Sequence, residues 1–496
     1  MGLLGGMSGH LEGKTKLRSK SDASMMKPEN GASGESTYDT TNLDKEEGNI
    51  LMSIISQLRP GMDLSKIALP TFVLEPRSLL ERITDFFSHP ELIFGAGQEP
   101  DEKERFIRVM TYYLSGWHIK PKGVKKPYNP VLGEFFRCTY TYADGTEGYY
   151  VAEQVSHHPP VSAFFYVSPK NGLLVTGELK PKSRFLGNSA ATIMEGEDRI
   201  RLLDRPEDGE YVITMPNTYA RGILFGKMTL ELCDASTITN ATTQYHCDVD
   251  FKAKGWISGG YNVIEGAVKG PGEVSLGTVS GHWSDVMEYT DKKTGKKRVL
   301  FNPHHSHVVP KNVLPESEQE EYESRRLWTK LTDAIKAADM HGATAAKTAV
   351  EDRQRELVKQ REATGSPPPP SRFFEHVEGD RWMPKIGVDS LPKDRDEMER
   401  RVSEWIFGDK SPTKPAQNEP PVEFYDEPDE PTQPTRSREA SEPALYTPVE
   451  PQPIPGSTAS VNSSMSNLSI VSPPAATTAP GPPAPGPKFS HPVSPK

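Results

Sequence analysis

Cysteine is scarce in this chain: Cys138, Cys233 and Cys247 are the only three among 496 residues, an odd number without CxxC spacing. That excludes a disulfide framework and a Cys-based zinc cluster, and it fits a reducing compartment. A basic excess is lacking too. The net charge of −10 argues against a broad nucleic-acid surface, which needs a cationic field along the phosphates, but leaves room for local basic pockets. No run reaches the roughly 18 apolar residues that span a bilayer. The first residues, Met1-Gly2-Leu3-Leu4-Gly5-Gly6, soon turn polar and do not read as a secretory signal, and Gly6 stands where myristoylation wants Ser or Thr. The expectation is a soluble, cytosolic protein.

Hydrophobic residues are only 35% of the chain, low for a sequence that folds throughout. Proline accounts for part of this, with 21 of its 46 residues lying in the 86 from Ser411 to Lys496. Residues 411–496 read as a Pro-rich disordered tail. Residues 1–45, rich in Gly, Ser, Lys and Asn without apolar periodicity, read as a second one. Between them, 46–410 form one domain of about 360 residues, ample for a large core.

Within that domain Ile50, Leu51, Ile54, Ile55 and Leu58 recur at helical spacing. Asp44, Glu46 and Glu47 precede this stripe, where acids suit the positive end of a helix dipole, and Pro60-Gly61 ends it. An extended segment, Ile67–Leu74, comes next. Helices are predicted over Arg77–Phe87 and Asp101–Leu114. From Glu134 to about Leu300 the period changes to two: Tyr245, Cys247, Val249 and Phe251 alternate with His246, Asp248 and Asp250. Strand-like runs at Phe135–Tyr142, Tyr149–Gln154, Ser162–Val167, Leu173–Leu179, Arg199–Leu203 and Tyr211–Met215 are separated by turn residues such as Asp144-Gly145. Many short strands without intervening helices predict a meandering antiparallel sheet or barrel. Helix returns over Glu316–Arg361, and a last mixed segment carries Phe373, Phe374, Trp382, Trp405 and Ile406.

Four places carry candidate chemistry. His157-His158 precede Pro159-Pro160 at a strand end, where prolines stiffen the bend. Such a pair is either one buried and one solvated imidazole, or two donors to one anion. A metal site with His304, His305 and His307 lacks HExxH or His/Cys ligand spacing. Lys120, Lys122, Lys125 and Lys126, set among Pro and Gly up to Asn129, are either a solvated surface or a contact for phosphate oxygens. Lys347, Glu351 and Arg355, spaced four and four on a helix, are either an exposed ladder or a carboxylate holding two cations for an anion. The Ile50–Leu58 helix either packs on its own core or acts as a lid over a cavity.

The string EQVSHHPPVSAFF (Glu153–Phe165) resembles the signature of the oxysterol-binding-protein-related family. LPTFVLEPRSLLERITDFFSHPELI (Leu69–Ile93), WHIKPKGVKKPYNPVLGEFF (Trp117–Phe136), LKPKSRFLGNSA (Leu179–Ala190) and ESRRLWTKLTDAI (Glu323–Ile335) follow in the same order. No pleckstrin-homology or ankyrin region is visible, so the resemblance is to a short form. It implies a mainly β fold with helices: an incomplete antiparallel barrel around a lipid tunnel, an N-terminal lid over about 46–75 and a C-terminal helical subdomain. It also implies a carrier that exchanges phosphatidylinositol 4-phosphate for a second lipid between the endoplasmic reticulum and the plasma membrane, without cofactor or metal. By matching motifs, the inositol phosphate falls to Lys126, Asn129, His157, His158, Lys347, Glu351 and Arg355. LPTF and FVLEPRS are similar to the phosphatidylserine-carrying subgroup, which implies Leu69, Thr71 and Ser183 as contacts of the second lipid.

Other readings stay open. A sterol in place of phosphatidylserine needs a tunnel end shaped for rigid rings. An enzyme, a phosphoinositide phosphatase or lipid hydrolase using the histidines, lacks a CxxxxxR loop or GxSxG. A lipid-sensing scaffold would act through the tail. There Glu423-Phe424-Tyr425-Asp426-Glu427-Pro428-Asp429 loosely resembles the two-phenylalanines-in-an-acidic-tract motif that binds the endoplasmic reticulum receptor VAP, although Glu427 replaces a small residue.

Overall fold

The alternation after Glu134 builds one large sheet. The computed structural model describes residues 40–64, 67, 69–225, 227–255 and 259–410, and in it sixteen strands join a single sheet. Its path runs from Lys297–Phe301 back through Met287–Asp291, Val274–His282, Val263–Gly270 and Tyr245–Lys252 to the long strand Lys227–Asn240. It continues through Tyr211–Ile213 and Asp198–Leu202 to Leu173–Phe185, then Pro160–Ser168, Glu147–His157, Phe135–Thr141 and Lys311–Asn312. The two end strands do not pair with each other, so the fold is mainly β with helices, an incomplete antiparallel barrel. Ser189–Glu195 and Asn217–Arg221 add a second connection between the strands Leu173–Phe185 and Lys227–Asn240.

Period two decides which face each residue serves. Along Phe135–Leu174 both faces are covered. Phe136, Cys138, Tyr150, Phe164 and Tyr166 point into the central core with Leu80, Phe106 and Met110. Phe135, Tyr149, Val151, Phe165 and Val167 face the opposite way, against Phe373, Met398, Val402 and Ile406. The predicted C-terminal anchor is therefore the hairpin Phe374–Val377/Arg381–Pro384 and the helix Arg395–Phe407 laid over the outside of the sheet. Arg137, fully buried, clasps Glu323 at 3.0 Å and donates to the Ile406 carbonyl at 2.8 Å. Along Tyr245–Lys252 only one face is buried: Cys247, Val249 and Phe251 are inside while Asp248 and Asp250 meet solvent. The three cysteines are free and buried.

The helical stretches differ from expectation in two places. Arg77–Phe87 is not one helix. Leu74–Ser78 is a strand, Leu79–Arg82 a single helical turn and Ile83–Phe87 a 3-10 helix. Long-range pairing of Leu74–Ser78 with Lys126–Tyr128 wins over local propensity, and Arg77, buried, reaches across the turn to both oxygens of Asp85 at 2.7 Å. Glu316–Arg361 is two helices, Ser324–Lys336 and Met340–Thr364. The break is chemical: Ala338 takes a left-handed φ of 54°, and Asp339 caps the second helix by accepting from the Gly342 amide at 2.8 Å. Glu102–Ser115, capped by Asp101, forms as predicted.

The N-terminal helix runs Lys45–Ile55. Its Leu51 and Ile55 join Leu64, Phe72, Val124, Phe185, Ile223 and Met228 in a separate apolar cluster; Ile54, and Leu58 beyond the helix end, are only half buried. Ile50 leaves the stripe and is 43% exposed. Thr40–Asn42, inside the span read as a tail, pairs as a strand with Lys227–Thr229. Residues 1–39 and 411–496 lie outside the described residues. The segment read as extended contains a 3-10 turn at Thr71–Val73. Glu46 and Glu47 stand inside the helix rather than before it, and Asp44 with Glu47 makes a reciprocal capping box.

That cap separates charge from helix stability. Asp44→Asn keeps the cap and removes the charge, so exchange of amide hydrogens over 45–55 should match wild type, while Asp44→Ala should open the helix about fivefold more often, the worth of one cap. Equal exchange in both variants would contradict the capping role. On anionic liposomes the Asn variant should stay bound longer, because one repulsive charge is gone.

A second prediction concerns Asp198. It is buried with Oδ1 unpartnered, beside a cavity of about 20 Å³ shared with Phe87, Tyr112 and Tyr113, room for one water. Burial pushes its carboxyl up to about 8. The folded chain thus keeps a proton that the unfolded chain releases near pH 3.9, so this contribution is whole below that value and is lost as pH rises to 8. Asp198→Asn stays neutral throughout. Between pH 5 and 8 the urea midpoint of wild type should fall relative to that of the variant; a constant difference would refute the buried acid.

Candidate functional site

The histidine pair closes a hairpin. Strand Glu147–His157 turns back into Pro160–Ser168 with His157 opposite Pro160, and the ladder slips register between Gln154 and Ser156, the kind of irregularity that re-aims side chains. Polar contacts pin the turn: the Ser162 hydroxyl donates to Gln154 Oε1 at 2.5 Å, the Gln154 amide to the Ser156 carbonyl at 2.8 Å, and the Ser156 hydroxyl to the Pro159 carbonyl at 2.7 Å. The two imidazoles are brought to one side, with ring centres 4.6 Å apart and planes at 59°. His157 Nδ1 is buried and has no hydrogen-bond partner. Desolvation, and behind it His158, pushes the His157 imidazole down; the Pro130 carbonyl and Glu351 pull the other way.

Those opposing groups identify the other two arms. Lys126 opens the short strand Lys126–Tyr128, held parallel to Leu74–Ser78 with Leu74 opposite Lys126. Tyr128 fixes this strand by its hydroxyl to Thr332 Oγ1 at 3.0 Å and by its ring on Trp328. Asn129 follows, exposed. The four lysines do not act as one loop. Lys120 lies over the Trp283 ring, Lys125 donates to the Phe72 carbonyl, and Lys126 has Lys347 and Glu351 as its charged neighbours. Lys126 is open to solvent yet surrounded by protein on most sides, a wet group in a recess. That crowding, then the Lys347 charge, pushes its ammonium down, and Glu351 offsets part of this.

The third arm is the long helix Met340–Thr364. Lys347 Nζ is 2.8 Å from Glu351 Oε1, and Arg355 Nη2 is 3.3 Å from Glu351 Oε2; Arg355 also bonds Asp352. The ladder exists, and it is not a detached surface feature, because Glu351 bears on both His157 and Lys126. Hairpin, short strand and helix therefore bring His157, His158, Lys126, Lys347 and Glu351 together, while Asn129 and Arg355 are both exposed, Arg355 bonded along its own helix to Glu351 and Asp352. Lys126, Lys347 and Arg355 stand there against Glu351 and Asp352, with two imidazoles beside them, and such a recess suits an oxyanion.

The second-lipid candidates flank the N-terminal helix. Leu69 is half buried. Thr71 is buried, with Oγ1 3.4 Å from Thr344 Oγ1 on the long helix. Ser183 lies on the other side, on strand Leu173–Phe185, 3.4 Å from Thr192 Oγ1. Their neighbours Phe72 and Phe185 share the apolar cluster under the helix.

Two residues escaped the sequence reading. Thr344 marks the end of the long helix nearest Thr71, and nothing in its neighbourhood of alanines singles it out. Glu134 is fully buried and accepts from Ser78 Oγ at 2.5 Å, Ser324 Oγ at 2.7 Å, Trp328 Nε1 at 3.0 Å and the Val131 amide at 3.1 Å. Its signal was visible: an acid set in the apolar run Val131-Leu132-Gly133-Glu134-Phe135-Phe136. Among the described residues no cluster of three His, Cys, Asp or Glu could hold a metal ion, and no helix is long and apolar enough to cross a membrane.

Comparison with known proteins gives the family and the fold. The family model "Oxysterol-binding protein" matches residues 53–390. The oxysterol-binding protein-like protein OBPa of Candida albicans is 50% identical over 335 residues, 67% of this chain and 77% of the relative. Oxysterol-binding protein homolog 7 of Saccharomyces cerevisiae is 43% identical over 377 residues, covering 74% of this chain and 85% of the relative. Human oxysterol-binding protein-related protein 8 is 41% identical over 337 residues, 67% of this chain but 38% of that longer protein. Among solved structures, the Osh1 ORD domain with cholesterol superposes with a TM-score of 0.58 at 22% identity, over 76% of this chain and 95% of that one. The Osh3 ORD of S. cerevisiae with PI(4)P gives 0.53 at 21%, over 71% and 92%. Those two likenesses concern the fold; the family model and the relatives together show that this chain belongs to the oxysterol-binding protein family.

Proposed function

We propose that this chain is a lipid carrier that extracts phosphatidylinositol 4-phosphate and exchanges it for a second lipid, phosphatidylserine, between the endoplasmic reticulum and the plasma membrane. The observation that carries this reading is the buried, unpartnered His157 Nδ1 beside His158, Lys126 and Lys347, with Glu351 between the histidine and the cations and Arg355 bonded to Glu351 and Asp352. A buried ring nitrogen without a partner is costly, and in the protonated imidazole it would donate to a phosphate oxygen. Relatives with the same fold include one solved with PI(4)P and one with cholesterol. The family's lipid-binding character and the recess point to transport rather than chemistry on the lipid.

The energetics favour a closed carrier. At about 0.8 kcal/mol per methylene, exposing roughly 30 methylenes costs on the order of 25 kcal/mol. An apolar enclosure under the N-terminal helix offsets this. Around that helix Ile50, Met52, Met62, Leu186 and Leu224 stand exposed, which supports contact with a membrane surface while the helix opens. The segment Glu423–Asp429 serves in this reading as a tether to the receptor VAP.

Replacing both His157 and His158 by Ala should abolish extraction of phosphatidylinositol 4-phosphate from liposomes, since charged hydrogen bonds are worth about 1.5–3 kcal/mol each. Uptake of the second lipid should survive. Extraction at the wild-type level by the double variant would refute the headgroup assignment. Because phosphate raises an imidazole that desolvation holds down, extraction should also strengthen as pH falls through the histidine range.

Phosphatidylserine as second cargo rests on Leu69, Thr71 and Ser183 flanking the helix. Leu69→Asp places a charge beside acyl chains, which a dry site does not tolerate. It should abolish phosphatidylserine uptake with far-UV circular dichroism unchanged. Native mass spectrometry showing a sterol as the dominant bound lipid would overturn this cargo in favour of sterol exchange.

A further inference from the structure

The face of the long helix next to its headgroup ladder borders a second concavity. A groove of about 430 Å³ lies between the helices Ser324–Lys336 and Met340–Thr364. Its floor is apolar: Leu327, Leu331, Ala346, Ala349 and Val350, the open side of the small core around Trp328. Its rim is cationic, with Arg326, Lys330 and Arg353 against one acid, Glu321. Arg353 pairs with Glu321 at 2.6 Å and lies over the Tyr322 ring; Lys330 is exposed. The volume falls in the range of ligand sites.

The described chain ends beside this groove. Lys410 Nζ donates to the Glu318 carbonyl at 3.1 Å, three residues before Glu321. Eight residues further on begins a stretch of complementary chemistry, Asn418–Pro428: two adjacent aromatics, Phe424 and Tyr425, among Glu419, Glu423, Asp426 and Glu427. We infer that Asn418–Pro428 docks in this groove, with Phe424 or Tyr425 on the apolar floor and the acids against Arg326, Lys330 and Arg353. Reach is not limiting, because fourteen residues separate Lys410 from Phe424 and span up to about 46 Å when extended. Strength need not be high either. A linker of this length supplies an effective concentration in the millimolar range, so a millimolar affinity suffices for substantial occupancy. The opposing charges add orientation more than affinity.

This docking is independent of the lipid reading, and it gives the segment a competitor for any receptor, since aromatics held in the groove are not available elsewhere. The helix beneath it is the one that carries Lys347, Glu351 and Arg355.

The test uses the full chain with Phe424→p-benzoylphenylalanine, irradiated and mapped by mass spectrometry. Intramolecular cross-links should fall within 324–336 and 340–364. Ala349→Arg fills the groove from an exposed position where Arg suits a helix, and should cut their yield about tenfold, as loss of an interface anchor does. Lys330→Glu should cut it about two- to fivefold, the worth of an exposed ion pair. Circular dichroism should match wild type in both variants. Cross-links scattered over the surface, or a yield unchanged in both variants, would overturn the docking. Products joining two chains would overturn it too and assign the groove to a second copy.

Discussion

One buried carboxylate sets the geometry of the recess. Glu134 sits in the apolar interior with no solvent contact and four donors around it. Burial pushes its carboxyl up, and the hydrogen bonds from Ser78, Ser324, Trp328 and Val131 act against that shift. A buried charge is tolerable only where its ligands are fixed, so the four donors cannot wander. Each belongs to a piece that carries or braces the site: Ser78 ends the strand that aligns Lys126, Val131 follows Asn129, and Ser324 and Trp328 belong to the helix against which the Lys347 helix packs. Segments up to 194 residues apart in sequence meet at one point. Glu153 repeats the device on the outer face, accepting from Ser371 Oγ and from the amides of Arg372 and Phe373. Glu81 does so again: burial alone would raise it, but Arg325, Lys311 and Arg77 hold it down to about 2.

Against this scaffold the recess itself is loosely bound. Lys126 and His158 meet solvent, Arg355 is exposed, and the ladder bonds join neighbours along one helix. Fixed backbone and adjustable charge go together: the hairpin, strand and helix are tied by buried bonds, while the charged side chains on them stay exposed enough to adjust. Glu351 has a positioning role here, since it aligns two cations and at the same time limits their mutual repulsion.

Much of this was legible in residue order. Alternation at Tyr245–Phe251 fixed which side faces inward, and the spacing of Lys347, Glu351 and Arg355 put them on one helical face, because both depend only on local periodicity. The convergence of those residues with His157 was not local; the family motifs carried it. What stayed hidden were competitions decided at long range. Leu74–Ser78 left its helix for a strand partner some fifty residues away, Ile50 lost its place in the stripe because the cluster below takes Leu51 and Ile55 with Leu58 at its edge, and Lys126 was set apart from the three lysines before it because the pairing with Leu74–Ser78 begins there. The break at Ala338 also depends on a positive φ that alanine rarely adopts.

The two walls of the barrel differ in thickness. Where Phe135–Leu174 runs, side chains pack on both faces; across Tyr245–Phe301 the outer face meets solvent, through Asp248, Asp250 and Lys297 and through the apolar Val274 and Val299 alike. Close packing on two sides resists deformation, while a single-ply sheet bends at the expense of few contacts. The vessel therefore has a stiff wall and a compliant one. In the carrier proposed here, the compliant wall would adjust to cargoes of unequal girth, and the stiff wall, whose strand Glu147–His157 carries the histidines, would keep its shape whichever is held.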